Sequence, residues 1–420
     1  MGNGATLVAM DPPERPLLPE PDPEPDPEVA ESGPSPVMPV DRGRIAPLIR
    51  LRWTLREASG SLGDLGTFLP ISLGLAVVCG LRFDAILLFA GLMNVVSGLL
   101  FRQPLAVQPM KAIAAIAIAE GLAPGAVAAG GLVTACIVMM LALGNGLDRL
   151  LRHVPVAVIR GLQVGVGLRL AASSLPGPHA EGGTALLTLG WLVLLSAVLC
   201  FRKTRRLPVV LVVFTAGLVM AWLDTSPAWS WGWPAVWTWP SWGEWAQGVA
   251  LLAPAQAPLT LLNSVAAVCL LSADLFPGRG AAPKRVALSV GWMNVLCLPA
   301  GAMPMCHGAG GLAGQHACGA RTGASVVMLG AAKIALAVAL GGSALTLLEA
   351  YPRPILSALL VVAGATLAWH GAKPYLRRPR IDSAWPVWLG VALLVCVGHT
   401  LAGVLVFALA ARPTRPEPGR

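Results

Sequence analysis

The chain has 420 residues, of which 55% are hydrophobic and only 12% charged; soluble domains carry roughly 25% charged residues, so the composition excludes the soluble class in favour of an integral membrane protein. The net charge of +9 is uneven, with nine acidic and three basic side chains in residues 1–45 and 12 acidic and 27 basic in the rest. The basic residues are scattered between apolar runs, which argues against a nucleic-acid surface and for cytoplasmic loops.

Residues 1–45, with "DPPERPLLPEPDPEPDPEVAESGPSP", read as a disordered acidic, proline-rich cytoplasmic tail. The basic-then-apolar layout of a signal peptide is missing. Residues 46–224 form a first membrane repeat. Its predicted spans lie near 62–80, 83–101, 105–120, 123–143, 154–171, 184–201 and 207–224. A tryptophan-rich loop at 225–247 contains no Lys or Arg and falls outside. The second repeat, 248–411, has spans near 249–273, 286–300, 304–318, 323–343, 354–370, 385–398 and 399–411, the last two short enough to be one helix. A short cytoplasmic tail, 412–420, follows. Arg50, Arg52, Arg56, Arg149, Arg152, Lys203, Arg206, Lys284 and Arg377 all fall on one side of this pattern. The positive-inside rule makes that side cytoplasmic, with both termini on it, as expected in a bacterial inner or plasma membrane.

The halves echo each other. "GLMNVVSG" and "GWMNVLCL" share Gly91/Gly291, Met93/Met293, Asn94/Asn294 and Val95/Val295, and each precedes a Pro-Met pair, Pro109-Met110 and Pro304-Met305. Seven spans per half is odd, so the halves are inverted in the membrane. The fold class is therefore all-α integral membrane, with two inverted seven-helix repeats. Inverted repeats with helices interrupted at matching places point to a transporter site.

Each Pro-Met pair opens a short apolar run, and an extended-looking piece, "PLAVQ" or "LPAGAM", precedes it. The reading is a strand-like segment, then a half-helix with proline in its first turn and its free N–H groups turned to an anion. Ordinary proline-kinked helices are the alternative. Lys111, just inside the first half-helix, is a buried charge that an anion repays, or a lysine snorkelling to water. Asp64, in "GSLGDLGTFLP", is a functional candidate or a helix cap. Asn263 and Ser264 line a cavity or bond a neighbouring helix. His307 donates to an oxyanion or carries a proton, or is a neutral core histidine. Lys333 and Asp274 read as snorkelling or interhelical pairing.

"PMCHGAGGLAGQHACGARTG" spaces its glycines as GxGxxxG without a βαβ context, so it is no nucleotide fingerprint. The cluster Cys306, His307, His316 and Cys318 fits no common zinc spacing, and eight cysteines without CxxC form no disulfide framework. Neither a catalytic triad nor a P-loop is present, so no enzyme, cofactor or metal is expected.

Four stretches, "GDLGTFLP", "QPMKAIAAIAIAEG", "LTLLNSVAAVCLLSADLFP" and "MPMCHGAGGLAGQ", followed by "GARTGASVV", resemble the molybdate transporter family of the sulfate permease superfamily. The resemblance covers about residues 55–370. It implies a core domain from spans 1–4 and 8–11 moving against a gate domain from the others. It implies a small tetrahedral oxyanion as substrate, molybdate first, with a sulfate transporter or an oxyanion channel as alternatives. The anion would lie between Gln108, Pro109, Met110 and Lys111 and Met305, Cys306, His307 and Gly308. Asp64, Gly66, Thr67, Asn263 and Ser264 would border it, with Asp64 and His307 as proton carriers. The lipid bilayer is the surrounding partner, and a homodimer is a habit of the superfamily. The acidic N-terminal tail departs from the family pattern.

Overall fold

The computed structural model describes residues 50–144, 146–172, 190, 209–234, 237, 239–377 and 384–397. The spans expected at 184–201 and 399–411 fall, but for Gly190, outside these residues, as do both tails.

The first helix, α1, runs Leu55–Cys79 with a tight 3-10 turn at Leu62–Asp64. It starts seven residues earlier than the hydropathy predicts. Thr54 caps it by accepting the Glu57 N–H at 3.3 Å. The Glu57 carboxylate is itself buried, accepting the backbone N–H groups of Arg321 and Thr322. A satisfied carboxylate can extend an apolar helix past its hydrophobic limit. Helix α2 spans Phe83–Phe101. The chain then forms a three-residue strand, β1 (Val107–Pro109), and a short helix, α3 (Lys111–Glu120). Next come α4 (Pro124–Leu143), α5 (Gly146–His153) and α6 (Val156–Ala172), the last two meeting at an 85° bend, and α7 (Val209–Thr225).

Helix α8, Trp242–Leu275, starts inside the segment read from sequence as external loop. Ser241 and Glu244 form a reciprocal capping box there, which satisfies the first N–H groups and nucleates a turn in spite of the tryptophans. Pro254 and Pro258 remove two N–H donors from this helix, and π-helical stretches accompany them at Gly248–Leu252 and Thr260–Ala267. Helix α9 (Pro283–Cys297) leads to β2 (Met305–His307) and α10 (Ala309–Ala317). Then follow α11 (Ala324–Leu340), α12 (Ser343–Glu349), α13 (Arg353–Leu376) and α14 (Ala384–Cys396). Five of the described helices are long and apolar enough to cross a membrane, six if α5 and α6 count as one bent span.

The packing repeats itself. Helix α2, second in its half, lies on α11, fourth in the other, and α4 lies on α9 in the same relation. The strands β1 and β2 pair antiparallel between them, with Val107 opposite His307, Gln108 opposite Cys306 and Pro109 opposite Met305. Small residues let the backbones touch. A Cβ on Gly98 would stand 2.5 Å from the carbonyl of Gly323, and one on Gly91 would stand 2.8 Å from that of Gly330. Among apolar helices, such close approach supplies the dispersion contact that a hydrophobic effect cannot supply in lipid. Helix α6 packs chiefly on α13 and α14 and also touches the π-helical stretch of α8.

One sequence expectation changes here. Neither proline opens a half-helix: Pro109 ends β1, and Pro304 precedes β2. The half-helices begin at Lys111 and Ala309, capped by Met110 and Gly308 in extended conformation. Pro109, without an N–H, fits the end of a two-stranded ladder as well as a first helical turn.

Candidate functional site

Asn94 and Asn294, the pair that marks the internal repeat, perform the same task in each half. The Asn94 side chain accepts the Val107 N–H at 2.8 Å. That of Asn294 accepts the Met305 N–H at 2.7 Å and donates to the Met305 carbonyl at 2.6 Å. Each asparagine thereby holds the first residue of its strand, and the strand aims the half-helix behind it.

The pleat of the strand pair sorts the candidate residues onto two faces, because directly opposed residues point the same way. Gln108 and Cys306 share one face, whereas Val107, Pro109, Met305 and His307 share the other. On the first face Gln108 donates through Nε2 to Oδ1 of the fully buried Asp64. Ser264 lies within hydrogen-bonding reach of Cys306, whose thiol approaches the Pro109 carbonyl at 3.9 Å. Asn263, next to Ser264 on the π-helical stretch, is buried too. Helix α10 presents no side chain where it meets this cluster. A Cβ on Gly311 would stand 2.7 Å from both Asp64 Oδ1 and Gln108 Nε2, and one on Gly308 would overlap the Gln108 amide oxygen.

Two lysines complete the cluster. Lys111 and Lys333 both lie within electrostatic range of Asp64. Lys333, on α11, is 3% exposed, with Nζ 3.4 Å from the centroid of the Phe68 ring. The snorkelling account fails for it, since its ammonium reaches no surface. The same holds for Lys111, whose Nζ is buried. Five buried polar atoms here have no hydrogen-bond partner: Asp64 Oδ2, Gln108 Oε1, Lys111 Nζ, Asn263 Oδ1 and Lys333 Nζ. Buried polar atoms are nearly always paired, and each orphan costs roughly 1–3 kcal/mol. Such a concentration of orphans sets this cluster apart from the apolar core around it and makes it the candidate site.

The remaining candidates lie elsewhere. His307, on the far face, contacts Ser289 Oγ through Nε2 at 3.1 Å and the Ala106 carbonyl through Nδ1 at 3.4 Å, with Phe101 edge-on. It is packed as a buried, hydrogen-bonded core side chain. Gly66 brings α1 against α13, where a Cβ would stand 2.9 Å from the Leu356 carbonyl. Thr67 is buried, and Met110 donates its N–H to the Pro304 carbonyl. Asp64 makes no helix-capping bond, so the capping alternative fails.

Gln256 escaped the sequence reading altogether. Its side-chain carbonyl accepts the N–H groups of Ala112 at 2.9 Å and Ile113 at 3.3 Å, and its amide donates to Thr260. The free end of α3 is thus partly capped by a neutral group from α8. The only sequence signal was a lone polar residue in "APAQAPL". Asp274 forms a bidentate pair with Arg160 of α6, the interhelical account. Among the described residues no cluster of metal-ligating side chains occurs.

Comparison with known proteins bears on this arrangement. The profile of a family described as "Molybdate transporter of MFS superfamily" matches residues 56–170 and 248–367. The chain is 37% identical to "Molybdate transporter 2" of Arabidopsis thaliana, over 80% of this chain and 84% of that one. Its fold resembles the transmembrane domain of a cyanobacterium bicarbonate transporter, BicA, with TM-score 0.53 and 16% identity, covering 88% of this chain and 100% of that one. It also resembles SLC26A9, with TM-score 0.58 and 13% identity, covering 85% of this chain and 64% of that one.

Proposed function

Because the chain belongs to the molybdate transporter family, and is an integral membrane protein, we propose that it takes up molybdate by proton-coupled secondary active transport, with the anion held beside Asp64, Gln108, Lys111, Asn263, Ser264, Cys306 and Gly308. The observation that carries this reading is the pair of buried, unpartnered ammonium groups around one carboxylate, where two half-helices start. A tetrahedral dianion offers acceptors to both lysines and to the N-terminal end of α10.

Energetics supports the coupling. A dianion entering a negative-inside cell works against about 4.6 kcal/mol per 100 mV, roughly a 2000-fold gradient. One proton per molybdate, carried on Asp64, cuts the net charge moved to one and the opposing work to about 2.3 kcal/mol per 100 mV. Asp64 is the one carboxylate in the cluster, and a proton on it leaves the two lysines unopposed, which strengthens anion binding. His307 lies on the wrong face to share this role. The core of α1–α4 and α8–α11 then moves against a gate that includes α6, α13 and α14, turning the site from one side of the membrane to the other.

The test is uptake of radiolabelled molybdate into proteoliposomes, with and without a pH gradient. The gradient is expected to drive accumulation, an uncoupler to collapse it, and Asp64→Asn to remove the dependence on the gradient. Uptake indifferent to pH and uncoupler would refute the coupling. Sulfate competing as strongly as unlabelled molybdate would move the assignment to sulfate, and currents far above transporter turnover would select a channel.

A further inference from the structure

We propose that Lys333 sets the charge of the anion accepted, making the site selective for a tetrahedral dianion over a monoanion of the same shape. The inference rests on the oxyanion reading above and deepens it. Lys333 belongs to α11, outside the half-helices and outside every stretch that the sequence marks as a site. Its side chain nevertheless reaches the cluster: it is 3% exposed, its ammonium has no hydrogen-bond partner, and it lies over the face of the Phe68 ring. Phe68 follows Asp64 by four residues, one helical turn, so the ring that carries the ammonium and the carboxylate lie on the same side of α1.

A ring face attracts an ammonium group but supplies no acceptor atom, so N–H donors that point away from the ring stay free. Phe68 is therefore a resting place that holds the charge near Asp64 without consuming its hydrogen bonds. The groups facing Asp64 are Lys111, Lys333, Gln108 and Cys306. With Asp64 ionised, the two ammonium groups leave one net positive charge; with Asp64 protonated, they leave two, which balances a dianion. In a water-poor cluster an unbalanced charge is costly. With Asp64 protonated, the state that accompanies uptake, a monoanion would leave one ammonium without a counter-charge. With Lys333 removed, the balance shifts to a monoanion.

Perrhenate and molybdate are tetrahedral oxyanions of nearly the same size, carrying one and two negative charges, and so separate charge from shape. Binding of both to the purified full-length protein would be measured by competition against radiolabelled molybdate. The wild type is expected to prefer molybdate. Lys333→Gln should weaken molybdate by about 100-fold, leave perrhenate within about tenfold, and so reverse or abolish the preference; Lys333→Arg should keep it. An unchanged molybdate-to-perrhenate ratio in a folded Lys333→Gln protein would overturn the proposal. Should that variant fail to fold, the wild type still decides, because equal affinity for the two anions overturns the proposal as well. A wild type that binds neither molybdate, sulfate nor tungstate would instead remove the oxyanion reading, and this inference with it.

Discussion

Lys111 was conspicuous in the sequence as a charge inside "QPMKAIAAIAIAEG", and its buried, unpartnered ammonium now has Asp64 within electrostatic range. Replacing it with Met is expected to weaken molybdate binding by about 100-fold while the protein stays folded, because the change removes a buried charge without adding a cavity. Unchanged affinity in an equilibrium binding assay would make the lysine structural. Gly311 is the complementary case. Gly311→Ala places a Cβ 2.7 Å from the Asp64 and Gln108 polar atoms, closer than real Cβ contacts come, so these side chains must shift and their hydrogen bond is expected to open. A loss of affinity of about tenfold is expected, the value of one charge-assisted hydrogen bond; wild-type affinity would mean that the Asp64–Gln108 contact does not shape the site. Lys111 was legible in the sequence because an isolated charge in an apolar run stands out. Lys333 has the same character, but its sequence reading left snorkelling and interhelical pairing open, because nothing in its own helix says that it points at Phe68 rather than at lipid headgroups.

At the scale of elements, the two half-helices depend on the asparagines that hold their strands. Asn294 makes three hydrogen bonds, to the Val290 and Met305 carbonyls and the Met305 N–H, whereas the amide nitrogen of Asn94 has no partner. Asn294→Ala is therefore expected to cost about 2 kcal/mol and Asn94→Ala about 1 kcal/mol. Thermal unfolding in detergent checks both, and equal small shifts would show that the strands hold without their clamps. The repeat itself was readable, because Asn94 and Asn294 recur in like surroundings. Its register was not. Each half carries a Pro-Met pair, yet Pro109 closes one strand and Pro304 stands before the other. The side chain facing the candidate site follows from the pleat and pairing, so the register of β1 against β2, which no local pattern shows, places His307 on the far face and Gln108 on the near one.

On the scale of the molecule, α6 and α13 are tied to α8 by a buried arginine. Arg160 pairs with Asp274 through both nitrogens, reaches the His370 carbonyl, and lies beside Gln163, which bonds the Ala267 carbonyl. Arg160→Gln breaks the pair but leaves Asp274 partly open to solvent, so a loss of about 1–3 kcal/mol is expected. A melting temperature unchanged by the substitution would show the pair to be energetically idle.

Composition alone determined that the chain is a membrane protein, since 12% charged residues cannot clothe a soluble domain of this size. Sequence pattern alone marked the repeat, the interrupted helices and the isolated polar residues Asp64 and Lys111, because glycines, prolines and lone charges in apolar runs are costly and stand out. Tertiary structure decided what those residues meet. Asp64 and Lys333 are 269 positions apart, and Lys111 and Gln256 are 145 apart. Local propensity carries no information over such distances; only the crossing of the two repeats, set by close glycine packing and the pairing of β1 with β2, brings the second lysine to the site and caps the first half-helix with a neutral glutamine.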